Sequence, residues 1–237
     1  MKIKYSGIIF IFLWLTAAKN FGQTVILQVD RAVDSLAPKR GPNLEKFAHF
    51  FVAGGVVTGA DKPGARIKYG SSVELGFGVR WKYKIGNCYS LGYELRTNYL
   101  EYKMDQKPGK RLPDSLLYDV ERFEFYSVQV NLFNRFNLDP GRGNELGYYI
   151  DLGIGGEWNY SIQRIIKMKL SDGSDMRASI SGLPYVNRFN YHVFGRVGLN
   201  KIVFYAGYRI SDLFKSGYGY PELPRLITGI QLSIFRQ

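Results

Sequence analysis

The stretch Ser72-Val-Glu-Leu-Gly-Phe-Gly-Val-Arg-Trp-Lys-Tyr83 alternates strictly between polar and apolar side chains. Every odd position from Val73 to Tyr83 is apolar, and every even position is Ser, Glu, Gly, Arg or Lys. A period of two predicts a β-strand with one apolar and one polar face. In a soluble β-protein the apolar face is buried against a core. In a transmembrane barrel the apolar face meets lipid and the polar face lines the lumen.

The rest of the chain contains seven more segments of strand character, each bounded by turn residues. No amphipathic helix of convincing length interrupts them. The sequence therefore predicts eight strands, which cover Lys46–Ala60, Gly70–Lys84, Tyr89–Tyr99, Arg122–Phe136, Leu146–Asn159, Arg188–Leu199, Ile202–Ser211 and Arg225–Phe235.

The connections between these strands alternate in length. Links after strands one, three, five and seven are long, such as Tyr160–Asn187, whereas the others are shorter, such as Asn200–Lys201. An up-and-down barrel with both termini in the periplasm has this rhythm, and a Greek-key sandwich has no reason to show it. The predicted fold class is all-β, an eight-stranded antiparallel up-and-down transmembrane β-barrel of the outer-membrane type. A soluble sandwich or a lipocalin-like barrel is the alternative.

Aromatic residues gather at the two ends of the predicted strands. Transmembrane barrels carry girdles of Trp and Tyr at both membrane interfaces, although aromatic residues also favour strands in general. We expect one girdle at the short-turn ends and one at the long-loop ends, formed by Trp81, Tyr83 and Tyr89 and by Tyr99, Tyr126, Trp158 and Tyr208.

The first residues have the layout of a secretory signal peptide. Lys2 and Lys4 precede an apolar run from Ile8 to Ala18, and small residues follow. The run is about half of the roughly 20 residues that span a bilayer as a helix. We predict a signal peptide at residues 1–22, a periplasmic segment at 23–44 and the barrel at 45–237. The expected location is the cell outer membrane, with both termini in the periplasm.

The polar faces of the predicted strands supply the side chains of the lumen. An eight-stranded barrel is only about wide enough to be filled by its own side chains, and charges in so narrow a space must be paired. We predict a plug of ion pairs and hydrogen bonds, with a narrow solute path as the alternative. Its charged residues are Glu74, Arg80, Lys82, Glu94, Arg96, Arg135, Asp151, Glu157, Arg196 and Arg209.

No motif for a metal, a cofactor or a nucleotide phosphate stands out. Cys88 is the only cysteine, which excludes an internal disulfide and a Cys-based metal site. Ser171–Asp175 lacks the closing Glu of a calcium loop and predicts a hairpin tip. The glycine runs Gly54–Gly55 and Gly153–Gly156 are expected to make room for large side chains or to bend strands. We expect no cofactor and no metal.

Catalysis on lipids is the weakest alternative, and we predict no catalytic residues. His192 lies on the polar face of its strand, with Ser127 and Ser161 as candidate neighbours and Glu157 as a group that orients a base. His49 lies near the short-turn end of the first strand. A single lumen histidine is more often a hydrogen-bonding residue than a base.

The segment Tyr208–Phe235, YRISDLFKSGYGYPELPRLITGIQLSIF, resembles the PorT-like family of outer-membrane β-barrels. Its most recognisable part is Pro221-Glu-Leu-Pro-Arg-Leu226. The resemblance implies a small barrel of the Gram-negative outer membrane, and some members of the family are accessory parts of secretion or assembly machines. One feature departs from the usual insertion signal, since Phe235 is out of phase with Leu232 and Ile234.

The formal net charge of +12 bears on the partners of the chain. An exported protein seldom meets nucleic acid, so we expect outer-membrane lipids, including lipopolysaccharide, and other envelope proteins. The sequence predicts a non-enzymatic accessory or scaffolding subunit of an envelope complex, with a minor pore or a lipid-modifying enzyme as alternatives. Three loops carry basic residues that we expect to be solvated, or to contact lipid phosphates or an acidic partner surface: Lys62, Arg66 and Lys68, then Lys107, Lys110 and Arg111, then Arg164, Lys167 and Lys169.

Overall fold

The computed structural model describes residues 40–170 and 173–235. The predicted signal peptide and the N-terminal segment as far as residue 39 lie outside the described residues. No helix in the described part of the chain is long and apolar enough to cross a membrane.

The described chain forms nine strands and one turn of 3₁₀ helix, Ser216–Tyr218. Their order follows the sequence prediction closely, with one strand more than predicted. The strands are β1 Lys46–Val57, β2 Val73–Lys84, β3 Tyr89–Lys103, β4 Val120–Asn137, β5 Tyr148–Lys169, β6 Asp175–Ser181, β7 Phe189–Leu199, β8 Ile202–Arg209 and β9 Leu226–Ile234.

Eight of these strands close into a ring in which every neighbouring pair is antiparallel. The order around the ring is β1, β2, β3, β4, β5, β7, β8 and β9, and the pairing of β9 with β1 closes it. Strand β6 lies outside the ring and pairs with the end of β5, at Gln163–Lys169. The predicted eight-stranded antiparallel barrel is confirmed.

The opening stretch shows which face of the barrel is apolar. Leu75 and Phe77 are about half exposed on the outside, whereas Glu74, Arg80 and Lys82 are buried inside. Exposed apolar residues and a buried charged interior are the inverse of a soluble β-protein and typical of a transmembrane barrel. The alternative of a soluble sandwich or a lipocalin-like barrel is therefore wrong.

Strand β5 continues to Lys169, beyond the predicted end at Asn159. The prediction stopped early because a bulge at Tyr160 interrupts the alternation of polar and apolar residues. Tyr126 pairs with Ser161 and Ser127 pairs with Asn159, so Tyr160 has no partner in the ladder. A bulge adds one residue to one strand, and the inward positions of β5 change there from odd to even numbers. The period of two is therefore broken at the bulge, although the strand continues and turns back as β6.

Glycines on the inner face leave space for large side chains. A Cβ at Gly92 would lie 2.2 Å from the ring of Phe133, and a Cβ at Gly153 would lie 2.4 Å from the ring of Phe194. The aromatic rings fill the lumen at these positions, so the absence of a side chain on the facing strand is a packing requirement.

The connections at one end of the barrel fold into an apolar cap. We call this end the loop end, and its four loops are L1 (58–72), L2 (104–119), L3 (182–188) and L4 (210–225). Buried side chains from all four loops pack against the last inward residues of the strands. The cluster contains Val57, Ala65, Ile67, Leu100, Tyr102, Met104, Leu112, Phe123, Phe125, Ile162, Leu183, Val186, Leu213, Phe214 and Leu223. This end of the lumen is therefore covered by apolar side chains.

The opposite end, which we call the turn end, has a smaller apolar cluster. Leu146, Tyr149 and Val203 are buried there, and Phe47 and Phe235 pack against them. The rings of Phe47 and Phe235 meet edge to face at 5.3 Å. Phe235 therefore points inward at the end of β9, which explains why it is out of phase with the lipid-facing residues before it.

Candidate functional site

The structure places all ten predicted lumen charges inside the barrel, and none is more than 9% exposed. The strands position them because the inward face of each strand carries every second residue. Glu94 is the centre of the largest network. Its carboxylate accepts hydrogen bonds from Arg80 at 2.8 Å, Arg196 at 2.8 Å and Asn131 at 3.0 Å. Arg80 also donates to the side-chain oxygen of Gln231 at 2.6 Å.

The same network continues through Asp151. Arg135 donates two hydrogen bonds to the Asp151 carboxylate, at 2.7 and 2.8 Å, and Arg196 lies 3.8 Å from it. The guanidinium of Arg135 also lies 3.5 Å from the ring centre of Tyr149. Two carboxylates and three guanidiniums thus form one continuous network across the lumen. Such charges are held by their partners and by aromatic faces, because water is largely excluded.

A second network lies around Glu74. Arg96 forms a salt bridge with its carboxylate at 3.0 Å, Asn98 donates to it at 3.0 Å, and the Tyr205 hydroxyl also donates to it. Arg96 in turn donates to the side-chain oxygen of Asn98 at 2.8 Å. The positive charge of Arg96 balances the negative charge of Glu74.

Arg209 connects the lumen to the cap. It donates to Glu222 at 2.9 Å, and the Glu222 carboxylate also accepts from the backbone amides of Leu213 at 3.1 Å and Phe214 at 3.0 Å. Glu222 therefore fixes the conformation of L4. Sequence reasoning did not identify its role, although Glu222 lies in the Pro221–Leu226 segment that carries the family resemblance.

Two of the ten residues have no charged partner among the described residues. Lys82 donates to the backbone oxygen of Pro42 at 2.6 Å. Glu157 accepts from the hydroxyl of Ser127 and from Gln129 at 3.2 Å. Each group therefore has at least one hydrogen-bond partner, which offsets part of the cost of burying it.

A cavity with a volume of about 60 Å³ lies in the lumen. Polar side chains line much of it, among them Glu74, Arg96, Glu157, His192, Tyr205 and Arg209.

The structure does not assemble the residues of the lipid-modifying alternative. The hydroxyl of Ser127 donates to Glu157, and no hydrogen bond joins either residue to His192. Ser161 pairs with Tyr126 beyond the bulge, on the outer wall. His49 is buried at the turn end, where its ring stacks on Phe47 at 4.9 Å and neither ring nitrogen has a hydrogen-bond partner among the described residues. Within residues 40–170 and 173–235 no group of three His, Cys, Asp or Glu could hold a metal ion.

The predicted girdle residues lie on the outer wall as two groups of neighbouring rings. Near the turn end Trp81 stacks on Tyr93 at 4.9 Å, and Tyr83 stacks on the same ring at 6.2 Å. Near the loop end Tyr99 and Tyr126 lie 5.1 Å apart. The sequence did not predict a girdle position for Tyr93, which alternates in phase with Tyr89 and Tyr99 and is the ring that both Trp81 and Tyr83 contact. Tyr89 contacts the ring of Phe136. Trp158 and Tyr126 both contact the ring of Tyr160, and Tyr208 is exposed.

Two basic loop residues are not solvated, contrary to the sequence-based expectation. Lys110 and Arg164 are buried, and both contact the buried carboxylate of Glu121, Arg164 at 2.6 Å. Arg164 also binds Asp114 at 2.7 Å, and Lys110 lies 3.5 Å from it. The expectation was wrong because L2 folds over the extended end of β5 and supplies carboxylates that sequence spacing does not reveal.

This cluster changes the acidity of Asp114. Partial burial raises the pKa of its carboxyl, but the hydrogen bond and charge of Arg164, together with the charge of Lys110, outweigh burial and hold the pKa below its usual range. The carboxylate is therefore the stable form at neutral pH, and it helps to hold L2 against β5.

The β5–β6 hairpin carries an unpartnered strand edge. Within the part of the chain that the structure describes, β6 pairs with β5 alone. Met176 and Ile180 lie on one face of β6 and are 38% and 42% exposed. Leu116 and Leu117 in L2 are also exposed, and L2 is attached to the hairpin where the Lys169 amide donates to Asp119 at 2.6 Å.

No protein-family model and no curated protein matches the chain. Among solved structures it is similar to the crystal structure of Ail, the attachment invasion locus protein of Yersinia pestis. That match has 10% identity and a TM-score of 0.34, and it covers 80% of this chain and 99% of that chain. The complex of Ail with the heparin analogue sucrose octasulfate matches with 9% identity and a TM-score of 0.35, covering 80% and 98%. At these scores the likeness carries no argument, and the fold rests on the strand pairing.

Proposed function

We propose that the chain is a non-conducting, non-enzymatic outer-membrane barrel of the PorT-like kind. It serves as an accessory or scaffolding subunit that binds another envelope protein at its loop end. In this proposal the turn end and both termini lie in the periplasm. The observation that carries it is the contrast between a filled, covered lumen and a folded loop end with an unpartnered strand edge.

The filled lumen supports a role other than transport. The network from Gln231 through Glu94 to Arg135 crosses the interior, and apolar clusters cover both ends. A hydrated solute would have to displace buried ion pairs, and breaking such a pair costs about 3–5 kcal/mol.

The loop end supports a role in binding. An unpaired strand edge is a template for a further strand, and natural proteins usually cover or blunt such edges. An extended segment that adds to β6 would gain backbone hydrogen bonds along the edge and apolar contacts with Met176 and Ile180 on one face. We therefore assign the edge to an extended segment of an envelope protein with apolar side chains at alternate positions.

Extraction in a mild detergent, followed by mass spectrometry, tests the proposal. The wild-type chain should retain a companion protein in a fixed ratio, and the double variant Met176→Glu/Ile180→Glu should lose it. The matched control is Ile85→Glu/Leu138→Glu, which changes two exposed apolar residues in the turns at the other end and should retain the companion. A wild-type chain that is extracted alone would contradict the scaffold role.

A further inference from the structure

We infer that the outer wall near the loop end binds the phosphate-bearing headgroup of an outer-leaflet glycolipid. The site is a belt of basic side chains that crosses L1, β3, β4, β5 and β6. This inference rests on the proposed outer-membrane location and is independent of the proposed partner protein. We call it the basic belt, and its members are Lys68, Lys103, Arg122, Lys167 and Arg177.

Lys68 and Lys103 form the first like-charged pair. The backbone amide of Lys68 donates to the oxygen of Lys103 at 2.7 Å, and the neighbouring residues Ile67 and Met104 form a β-bridge. Ile67 and Met104 are buried in the cap, so the alternation of a strand turns Lys68 and Lys103 to the outer wall. No described carboxylate forms a salt bridge with either lysine.

Arg122 continues this row, since it pairs with Lys103 in the β3–β4 ladder. Its guanidinium lies 2.9 Å from Glu124 and 3.7 Å from Glu101. Arg122 is shared between these two carboxylates, so the five cations Lys68, Lys103, Arg122, Lys167 and Arg177 together with Glu101 and Glu124 leave this wall with a net charge of +3 (five minus two).

Lys167 and Arg177 form the second like-charged pair. They are directly opposite each other in the β5–β6 ladder, and both are exposed. Lys167 also pairs with Val120 of β4, two residues along that strand from Arg122, so both pairs lie on the same outer surface. Neither side chain forms an ion pair with any described carboxylate. Two strand spacings, about 10 Å, separate the strand of Lys103 from that of Lys167.

Like charges directly opposite each other in a sheet are destabilising unless an anion lies between them. Two such pairs on one wall are therefore difficult to explain by folding alone. A phosphate group is a suitable anion, because its oxygens accept several hydrogen bonds from ammonium and guanidinium groups.

The height of the belt favours a lipid as the source of that phosphate. Lys103 and Arg122 lie four positions from the girdle residues Tyr99 and Tyr126 toward the loop end, which is about 13 Å along a strand. With a strand tilt of about 40°, the rise along the membrane normal is about 10 Å. The girdle marks the hydrocarbon boundary, so the belt lies at the depth of headgroups and core sugars.

Binding of purified lipopolysaccharide to the purified barrel in detergent tests the inference. The belt variant Lys68→Gln/Lys103→Gln/Lys167→Gln/Arg177→Gln should bind at least about tenfold more weakly than the wild type, since each basic residue near an anionic surface contributes to affinity. The matched control Lys46→Gln/Lys62→Gln/Lys201→Gln/Lys215→Gln removes the same charge elsewhere and should bind within about twofold of the wild type. Heat-modifiable gel mobility checks that every variant is folded.

Two probes identify the chemical group. Lipopolysaccharide stripped of phosphate should bind the wild type as weakly as intact lipid binds the belt variant, and inorganic phosphate alone should bind far more weakly than intact lipid. Equal binding of the stripped lipid, equal binding by the belt variant, or equally tight binding of free phosphate would overturn the inference. A wild-type chain that is extracted without a companion protein but still binds lipopolysaccharide would count against the scaffold role alone.

Discussion

Replacing Glu94 by Gln should destabilise the barrel more than any other single loss of charge in the lumen. Glu94 is fully buried, and its two oxygens accept from Arg80, Arg196 and Asn131. In the Gln variant the side-chain NH₂ group replaces one carboxylate oxygen and faces the guanidinium of Arg80 or Arg196. Two hydrogen-bond donors then lie opposite each other with no acceptor between them. Among the residues that the structure describes, Arg80 loses its only carboxylate, while Arg196 keeps only the 3.8 Å contact with Asp151. Leaving a buried charge without its partner costs about 3–5 kcal/mol.

The assay is equilibrium unfolding in urea after reconstitution into lipid vesicles, followed by tryptophan fluorescence. The matched control is Glu145→Gln, an exposed carboxylate in a turn, which should change the free energy of unfolding by less than about 0.5 kcal/mol. The double variant Glu94→Gln/Arg196→Gln should recover part of the loss, because one unpaired cation is removed with the anion. A loss below about 1 kcal/mol for Glu94→Gln, the size of an ordinary hydrogen bond, would refute the reasoning.

Three further predictions follow from the packing and the loop cluster. Phe235→Ser should lower the free energy of unfolding by about 1–2 kcal/mol in the same urea assay, since it removes a partly buried ring from the turn end, and an unchanged midpoint would contradict this. Gly92→Leu should cost about 2–3 kcal/mol or prevent folding, because the new side chain overlaps Phe133, whereas Gly54→Ala, with open space around its Cβ, should fold normally. The pKa of Asp114 is lowered in the folded chain, so its contribution to holding L2 is complete above the unfolded value of about 3.9 and is lost as pH falls through the folded value. Hydrogen exchange in L2 should accelerate over that range in the wild type, and Asp114→Asn should exchange fast already at neutral pH; a wild type that is unchanged by acid would contradict the sign.

The barrel strands were predictable because period-two alternation records the two environments of a membrane strand. Val73–Tyr83 shows this clearly, since the polarity of each side chain indicates whether it faces the lipid or the lumen. Pairing across a tight turn also follows by counting. Arg80 lies opposite Glu94 in the β2–β3 ladder, which the short turn Ile85–Cys88 determines.

The cap and the β5–β6 hairpin were not predictable in the same way. Tyr160 shifts the phase of β5, so the alternation of polar and apolar residues breaks there although the strand continues. Lys110 and Arg164 carry no sign in the sequence that Glu121 neutralises them, because that contact depends on how L2 folds. Contacts across the lumen, such as Glu94 with Arg196, depend on the closure of the ring rather than on local spacing.

The basic belt shows the same limit. Lys68 and Lys167 were noted as loop charges, but only the structure places them on one wall beside Lys103 and Arg177. The sequence distributes these residues over more than 100 positions, and the barrel brings them within a few strand spacings of one another.

Planar-bilayer recording of the purified barrel tests the central claim, a membrane-spanning barrel with a filled lumen, most directly. The wild type should insert without stable unit conductance. The triple variant Arg80→Ala/Glu94→Ala/Arg196→Ala, which removes the middle of the network, should show conductance steps and thereby prove that insertion is detectable. Stable unit conductance from the wild type would contradict the claim.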